Sequence, residues 1–151
     1  MSTQEQIYDC LKLENQLCFP LYAVSKEIIR HYKPHLDALD LTYTQYITMM
    51  VLWEKREANV KDLGEHLFLD SGTLTPVLKK LESKGYITRT RMQKDERNVL
   101  VAITQEGLDL RDKALSIPGK VAGCVNLNPQ EGIELYRLLK KIMSQFNTTE
   151  E

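Results

Sequence analysis

Three cysteines are the residues of this chain best suited to redox chemistry: Cys10, Cys18 and Cys124. Their odd number argues against a disulfide framework, and no CxxC pair or Cys/His cluster has the spacing of zinc ligands. Cys18 lies two residues before Pro20, so a helix that starts there would place the thiol at the positive end of the helix dipole. That position stabilises a thiolate, the form that attacks a peroxide. A lone cysteine in an apolar helix is more commonly a small buried hydrophobe, so the residues alone leave both interpretations open.

A second group of residues has the spacing of a DNA-reading unit. Apolar residues recur at i, i+3, i+4 and i+7 in the stripe Leu74, Val77, Leu78 and Leu81. This stripe predicts an α-helix that Asp70 or Ser71 caps and that ends near Gly85. A shorter helix over residues 60–67, capped by Asn59, precedes it. Two short helices separated by about three residues are typical of a helix-turn-helix.

The polar face of the second helix, with the strand that follows, supplies the candidate DNA contacts. For base edges we expect Thr73, Thr75, Pro76 and Lys79, and for phosphates Ser71, Lys80, Arg89 and Arg91. Pro76 breaks a local rule, because in a helix that begins at Ser71 it removes the hydrogen bond to Gly72. We therefore expect the helix to begin later, near Thr75, or its first turn to be irregular at the surface.

The residues after this helix predict a β-hairpin. Residues 86–91 alternate in the manner of a strand, residues 92–97 form a charged turn, and residues 98–103 form a β-branched second strand. A hairpin directly after a recognition helix is a wing, whose tip can reach the minor groove or the DNA backbone. Residues 71–97 hold seven lysines and arginines against three carboxylates, a net charge of +4 in a chain whose net charge is −1. The positive charge is therefore concentrated where DNA binding is predicted.

The rest of the chain predicts a mainly α protein of one domain, 1–151, built around this winged helix-turn-helix. Composition is that of a globular protein, with 42% hydrophobic and 27% charged residues. No apolar run is long enough for a membrane span and no signal peptide opens the chain, so we expect a cytoplasmic protein. We expect helices from Cys10 to about Leu39, and others that open at Thr42 or Thr44, at Thr104 and at Asn128. We assign residues 44–104 to the DNA-binding unit, and residues 8–40 and 105–147 to dimerisation helices.

These elements, in this order, resemble the MarR (multiple-antibiotic-resistance-regulator) family of winged helix-turn-helix repressors. The run Asp95-Glu96-Arg97 is similar to that family's Asp-x-Arg wing tip, in which the Asp orients the Arg toward the minor groove or backbone. Residues 12–19, 32–34, 41–43 and 69–82 resemble its organic-hydroperoxide-resistance-regulator (OhrR) branch. The resemblance spans residues 11–119.

The resemblance implies a homodimer on a pseudo-palindromic, double-stranded operator, released when an organic hydroperoxide oxidises Cys18. It further implies that Tyr32 and Tyr43 of the opposite subunit donate hydrogen bonds to that sulfur, with Tyr22 close by on the helix. Some members of the branch have a downstream resolving cysteine, a position that Cys124 fits. The alternative for Cys124 is a buried residue in an apolar run. Cys10 has no assigned role.

Two rival functions remain open. The first is a related repressor released by a small apolar or phenolic ligand, with no role for Cys18. The second is a thiol peroxidase that uses Cys18, which would leave the helix-turn-helix and wing unexplained. We expect no cofactor, because no nucleotide-binding glycine pattern occurs, and no metal, because Pro34 interrupts the helical register of His31 and His35.

Overall fold

The computed structural model describes residues 2–92 and 95–146, and for residues 95–97 the backbone alone. The helices are α1 Thr3–Ile7, α2 Cys18–Asp37, α3 Tyr43–Lys55, α4 Val60–Leu67, α5 Ser71–Ser83, α6 Gln105–Ala114, α7 Ile117–Ala122 and α8 Pro129–Met143. The strands are β1 Glu57–Asn59, β2 Ile87–Met92 and β3 Asp95–Ile103. The mainly helical fold with a small β-wing is thus confirmed.

Side-chain caps fix the starts of five helices. In each, a polar side chain just before the first turn accepts a hydrogen bond from the backbone N–H three residues later. The caps are Thr42 for α3, Asn59 for α4, Asp70 for α5, Thr104 for α6 and Asn128 for α8. The starts predicted at these five positions are confirmed, since capping depends on residues that are adjacent in sequence.

The segment before α2 is less helical than predicted for the residues from Cys10 to about Leu39. Two 3-10 turns, Tyr8–Leu11 and Leu13–Asn15, stand there instead. The side-chain amide of Gln16 donates to the carbonyl oxygens of Cys10 and Lys12, at 2.7 and 2.8 Å. In a continuous helix, Pro20 would also remove the bond to the carbonyl of Gln16 and clash with it. The helix therefore begins at Cys18, the start that Pro20 suggests.

The sheet has three antiparallel strands in the order β1-β3-β2. The predicted wing hairpin is confirmed, but its second strand is longer than expected, since β3 begins at Asp95 rather than at residue 98. Strands β2 and β3 pair from Ile87 opposite Ile103 out to Met92 opposite Asp95, with an irregularity after Arg91. No pattern in the sequence predicts β1, in which Ala58 pairs with Val101. Three residues are too few for an alternating pattern to show.

A buried apolar core joins the reading unit to the helices around it. The stripe of α5 supplies three of its residues, since Leu74, Leu78 and Leu81 are buried and Val77 is partly buried against them. The sides of α2, α3 and α6 that face this core contribute Leu36, Tyr46, Met49, Leu52 and Leu110. The recognition helix is therefore fixed by apolar packing and keeps its polar side free.

Large apolar side chains remain exposed on two long helices. On α2 they include Leu21, Tyr22, Val24 and Ile29, and on α8 they include Ile133, Leu135, Leu138 and Ile142. Apolar surface of this extent is typical of a protein–protein interface. None of the helices in the described residues combines the length and apolar character that crossing a membrane requires.

Candidate nucleic-acid interface and thiol site

A tight turn sets α5 against α4. Phe68 adopts a left-handed conformation with φ 54°, and the N–H of Leu69 donates to the carbonyl of Gly64 at 3.0 Å. A Cβ on Gly64 would lie 2.8 Å from the carbonyl oxygen of Leu69. Only glycine allows this close approach, so Gly64 sets the helix-turn-helix geometry.

The first turns of α5 present a polar face to solvent. Of the residues predicted to contact DNA on this helix, Ser71, Thr73, Pro76, Lys79 and Lys80 are exposed. Thr75 is half-buried, and its hydroxyl donates to the carbonyl of Ser71 at 2.7 Å. The expectation of a later helix start near Thr75 is wrong, because α5 begins at Ser71 and includes Pro76. Gly72, which loses its bond to Pro76, is exposed, so water can satisfy its carbonyl.

Asp70 caps α5 and stabilises its first turn. Its carboxylate accepts from the backbone N–H of Thr73 at 2.8 Å and from the Thr73 hydroxyl at 3.2 Å. The bond from the Thr73 backbone is the main reason that the pKa of Asp70 lies below its ordinary value. Asp70 therefore stays ionised and orders the first turn of the recognition helix throughout the physiological pH range.

Arg89 differs from the other predicted phosphate contacts. Its guanidinium donates to Glu82 at 3.1 Å, and its backbone N–H donates to the other oxygen of the same carboxylate at 3.1 Å. The hydrogen bond from Arg89 is the main reason that the pKa of Glu82 is lowered. Arg89 thus ties β2 to the end of α5, and a phosphate would have to compete with Glu82. Arg91, two residues along the strand, is exposed and better placed for phosphate contact.

The predicted wing-tip pair lies beyond what the structure describes at side-chain level. The backbone of Asp95 and Arg97 belongs to β3, while their side chains lie outside the described residues. Their assignment to DNA contact stays a prediction, based on the Asp-x-Arg pattern.

We expect Arg97→Ala to weaken operator binding by about 1–3 kcal/mol, because it removes a charged contact at the tip of the wing. Titration of a labelled operator duplex at fixed salt measures the change. Arg111→Ala, at an exposed arginine of α6, removes the same charge outside the wing and serves as the control. Undiminished affinity of Arg97→Ala would exclude the proposed role.

Cys18 is the first residue of α2 and is exposed in its own chain. Tyr22, one turn further along the same helix face, is also exposed, and the ammonium of Lys26 lies 6.0 Å from its ring centre. Tyr32 lies fourteen residues beyond Cys18 in α2. At the rise of an α-helix this separates the two by about 21 Å, too far for contact within one chain.

Three tyrosines cluster where α2 meets α3. The ring centres of Tyr32 and Tyr43 are 5.1 Å apart, and Tyr46 lies 5.8 Å from the first and 6.4 Å from the second. Burial raises the pKa of all three hydroxyls. They therefore remain protonated through neutral and mildly alkaline pH, as hydrogen-bond donors to a thiolate must. The sequence singled out Tyr32 and Tyr43 and missed Tyr46, although its i, i+3 spacing from Tyr43 places both on one face.

Cys124 lies just beyond α7, in a turn where its backbone N–H donates to the carbonyl of Val121 at 3.0 Å. It is exposed, so in this chain it is not the buried residue of the alternative interpretation. Burial is the main cause of the raised pKa of Tyr32, with smaller contributions from Tyr43 and from Cys124. Cys124 therefore interacts electrostatically with Tyr32, a member of the tyrosine cluster in its own chain.

The remaining candidate sites are a metal site and a cleft. Among the side chains of residues 2–92 and 98–146, no three His, Cys, Asp or Glu converge as metal ligands. An open cleft of about 980 Å³ separates the helix-turn-helix from the end of α8. Its apolar lining includes Phe68, Leu74, Met143 and Phe146.

The helix-turn-helix, the wing and the surrounding helices define a winged-helix regulator of transcription. A family model described as transcriptional regulator SarA/Rot matches residues 30–114. The chain belongs to this family, within the MarR-type winged-helix regulators, which confirms the resemblance seen in the sequence.

The chain is similar to two curated relatives that are regulators rather than enzymes. It is 48% identical, over 95% of this chain and 96% of the relative, to the organic hydroperoxide resistance transcriptional regulator of Bacillus subtilis. It is 44% identical, over 88% and 90%, to the transcriptional regulator SarZ of Staphylococcus aureus.

Among solved structures, reduced AbfR bound to DNA has a TM-score of 0.72 and 32% identity over 96% of this chain and 99% of that one. AbfR, a protein of Staphylococcus epidermidis, is also known with a disulfide formed. That form has a TM-score of 0.62 and 33% identity over 93% and 99%.

Proposed function

We propose that this chain is a redox-sensing repressor that binds operator DNA as a homodimer and is released when an organic hydroperoxide oxidises Cys18. The observation that carries the proposal is the exposed Cys18 thiol at the start of α2, in a chain that also builds a cluster of protonated tyrosines. The similarity to the Bacillus subtilis regulator supports the choice of organic hydroperoxide. As a transcription regulator, it would act in the cytoplasm.

For DNA binding, we propose that residues 44–104 act as the reading unit. The polar face of α5 enters the major groove while Arg91, Asp95 and Arg97 of the wing contact the backbone or minor groove. Two such units related by a two-fold axis require a pseudo-palindromic operator with half-sites about one helical turn apart. The known complex of reduced AbfR with DNA supports this assignment.

For dimerisation, we propose that residues 8–40 and 105–147 meet those of a second copy. The exposed apolar faces of α2 and α8 support this, since their burial provides the driving force for association. Residue 147, the last of the second range, lies outside the described residues.

The separation of Cys18 from Tyr32 supports a sensing site shared between subunits. Because about 21 Å of helix lies between them, hydrogen bonds from Tyr32 and Tyr43 can reach the sulfur only if they come from the partner. Cys124 follows α7, which packs against α2 in the same chain, and it contributes to the raised pKa of Tyr32. The same arrangement would therefore place Cys124 of one chain beside Cys18 of the other.

The chemistry proceeds in two steps. The Cys18 thiolate attacks the terminal oxygen of the hydroperoxide, and an S–O bond forms as the O–O bond breaks. The alkoxide leaves and takes a proton from water to become the alcohol. Sulfur is oxidised to sulfenic acid and the peroxide is reduced. The Cys124 thiolate then attacks the sulfur of the sulfenic acid, and an S–S bond forms as the S–O bond breaks. The hydroxyl leaves with a proton from solvent as water, and a disulfide joins the two residues. A thiol reductant reduces this disulfide and restores both thiols.

We expect Cys124→Ser to lose the covalent dimer that forms in wild-type protein after hydroperoxide treatment, because each proposed disulfide joins two chains. Non-reducing gel electrophoresis and intact mass measure the link, and Cys10→Ser serves as the control that keeps it. A covalent dimer that persists in Cys124→Ser would exclude the resolving role.

The cleft supports a second candidate function, that of a repressor released by a small apolar or phenolic ligand. Its volume of about 980 Å³ is sufficient for a small organic molecule. In that case Cys18 takes no part, and a ligand releases the DNA whether or not the thiol is present.

The deciding experiment measures binding of the purified protein to the DNA upstream of its own gene. The titration is made in the thiol form, after cumene hydroperoxide, and after a following treatment with dithiothreitol. Release by the hydroperoxide and recovery with the reductant are expected. Binding that ignores the hydroperoxide would exclude the redox function and leave the ligand-responsive one.

A further inference from the structure

Lys84 links the recognition helix to the corner between α2 and α3. It is the residue directly after α5, and its side chain is only 22% exposed. Its ammonium donates to the backbone carbonyl of Asp40 and, at 3.2 Å, to Oε1 of Gln45. The carboxylate of Asp40 lies 3.4 Å away. One cation thus binds three oxygens of a corner that is about forty residues distant in sequence.

Gln45 connects this cation to the first turn of α3. Its Oε1 also accepts from the backbone N–H of Thr42 at 3.1 Å, while the Thr42 hydroxyl accepts from the N–H of Gln45 at 3.3 Å. Gln45 is buried, with 5% exposure, so it has little freedom to rearrange on its own. A movement of the first turn of α3 therefore also moves an oxygen that Lys84 binds.

Tyr43 is the first residue of that turn. Its ring packs on Tyr32 at 5.1 Å, in the cluster assigned above to the sensing site. A continuous series of contacts therefore leads from Tyr43, through the cap of α3, to Lys84 at the end of α5. The core between α3 and α5 is apolar, and apolar packing has no preferred direction. The hydrogen bonds of Lys84, in contrast, are directional and charge-assisted.

We propose that Lys84 is the positioning residue that couples the tyrosine cluster to the recognition helix. Within this inference the contacts of Lys84 are those of the thiol form. Oxidation of Cys18 displaces Tyr43 and the first turn of α3, which weakens the contacts of Lys84 and releases α5 from its DNA-reading position. This inference rests on the proposed redox function. Coupling of this kind requires that the contacts differ in free energy between the two forms.

The test compares the ratio of operator affinities in the thiol and hydroperoxide-oxidised forms for four proteins: wild type, Lys84→Met, Lys84→Arg and Lys55→Met. Lys84→Met keeps the length of the side chain and removes the cation, so the ratio should fall roughly 2- to 30-fold. Lys84→Arg restores a cation and should recover most of the ratio. Lys55→Met removes an exposed charge at the other end of α3 and should leave the ratio unchanged.

Mass spectrometry of the peptides that contain Cys18, prepared from the same samples, establishes that every variant is oxidised to the same extent. A purely structural role for Lys84 would lower affinity in both forms alike and leave the ratio unchanged, which overturns the inference. A wild-type ratio near one would overturn the proposed function and this inference with it. The two failures are therefore distinguishable.

A second variant tests the same link in the opposite direction, and keeps the inference testable if Lys84→Met does not fold. Gln45→Glu preserves the size of the side chain and its cap on Thr42, and it makes the bond from Lys84 an ion pair. Stronger contacts in the thiol form should raise the affinity ratio. A ratio at or below that of wild type, in a variant whose thermal unfolding shows it to be folded, would overturn the inference.

Discussion

Cys18→Ser should give a protein that binds its operator as tightly as wild type and no longer responds to organic hydroperoxide. A serine hydroxyl is not a nucleophile toward peroxide, so neither sulfenic acid nor disulfide can form. Oxidised wild-type protein should bind the operator roughly 5- to 150-fold more weakly than the thiol form, the usual range for coupling between two sites. The variant should show no difference, as measured by titration of a labelled duplex before and after cumene hydroperoxide.

The control for this experiment is Cys10→Ser, which removes a thiol outside the proposed site and should respond as wild type does. If the hydroperoxide released Cys18→Ser from the operator, a residue other than Cys18 would have to carry the redox chemistry. Release of both proteins by an apolar ligand, without oxidation, would favour the second candidate function.

Gly107→Ala should be the most destabilising of the glycine-to-alanine substitutions in this chain. A Cβ on Gly107 would lie 2.3 Å from the carbonyl oxygen of Tyr86 and 2.7 Å from Cγ1 of Ile103. The Tyr86 oxygen already accepts from the N–H of Thr104 at 3.0 Å, and the Gly107 carbonyl accepts from the indole of Trp53 at 2.8 Å. Relief of the clash must therefore break hydrogen bonds, and we expect a loss of about 3 kcal/mol in the free energy of unfolding.

Urea unfolding followed by circular dichroism measures this loss, at one protein concentration because the proposed dimerisation would contribute to stability. Gly119→Ala is the matched control: a Cβ there meets nothing within 4 Å, and the residue lies inside α7. Its stability should be unchanged or raised by up to about 1 kcal/mol, since alanine favours a helix over glycine. Wild-type stability of Gly107→Ala would show that the close approach is not rigid.

Features of the fold that depend on neighbouring residues could be predicted from the sequence. Asn59, Asp70 and Thr104 cap the helices predicted for them, because each cap bonds to an N–H three residues away. The hairpin followed from alternation in its two strands. Strand β1 could not be predicted, because its three residues become a strand only through pairing with β3.

The candidate site shows the same limit. A thiol at the start of α2 could be predicted from the position of Pro20, which is local. The pairing of Arg89 with Glu82 could not be predicted, because arginine and glutamate are usually found at solvent-exposed positions. The two residues meet only when β2 packs beside α5. Lys84 was missed for the same reason, because its partners at the corner come from other elements of the fold. Tyr46 shares a helix face with Tyr43, but its contact with Tyr32 requires that α2 pack against α3.

The length of helix between Cys18 and Tyr32 also has a genetic consequence. If each sensing site combines the cysteine of one chain with the tyrosines of the other, a mixed dimer can recover what each parent lacks. One chain with Cys18→Ser and a partner with Tyr32→Phe and Tyr43→Phe would hold one site with every defect and one site with none. Two alleles that are each insensitive to hydroperoxide should therefore complement one another in a cell that expresses both.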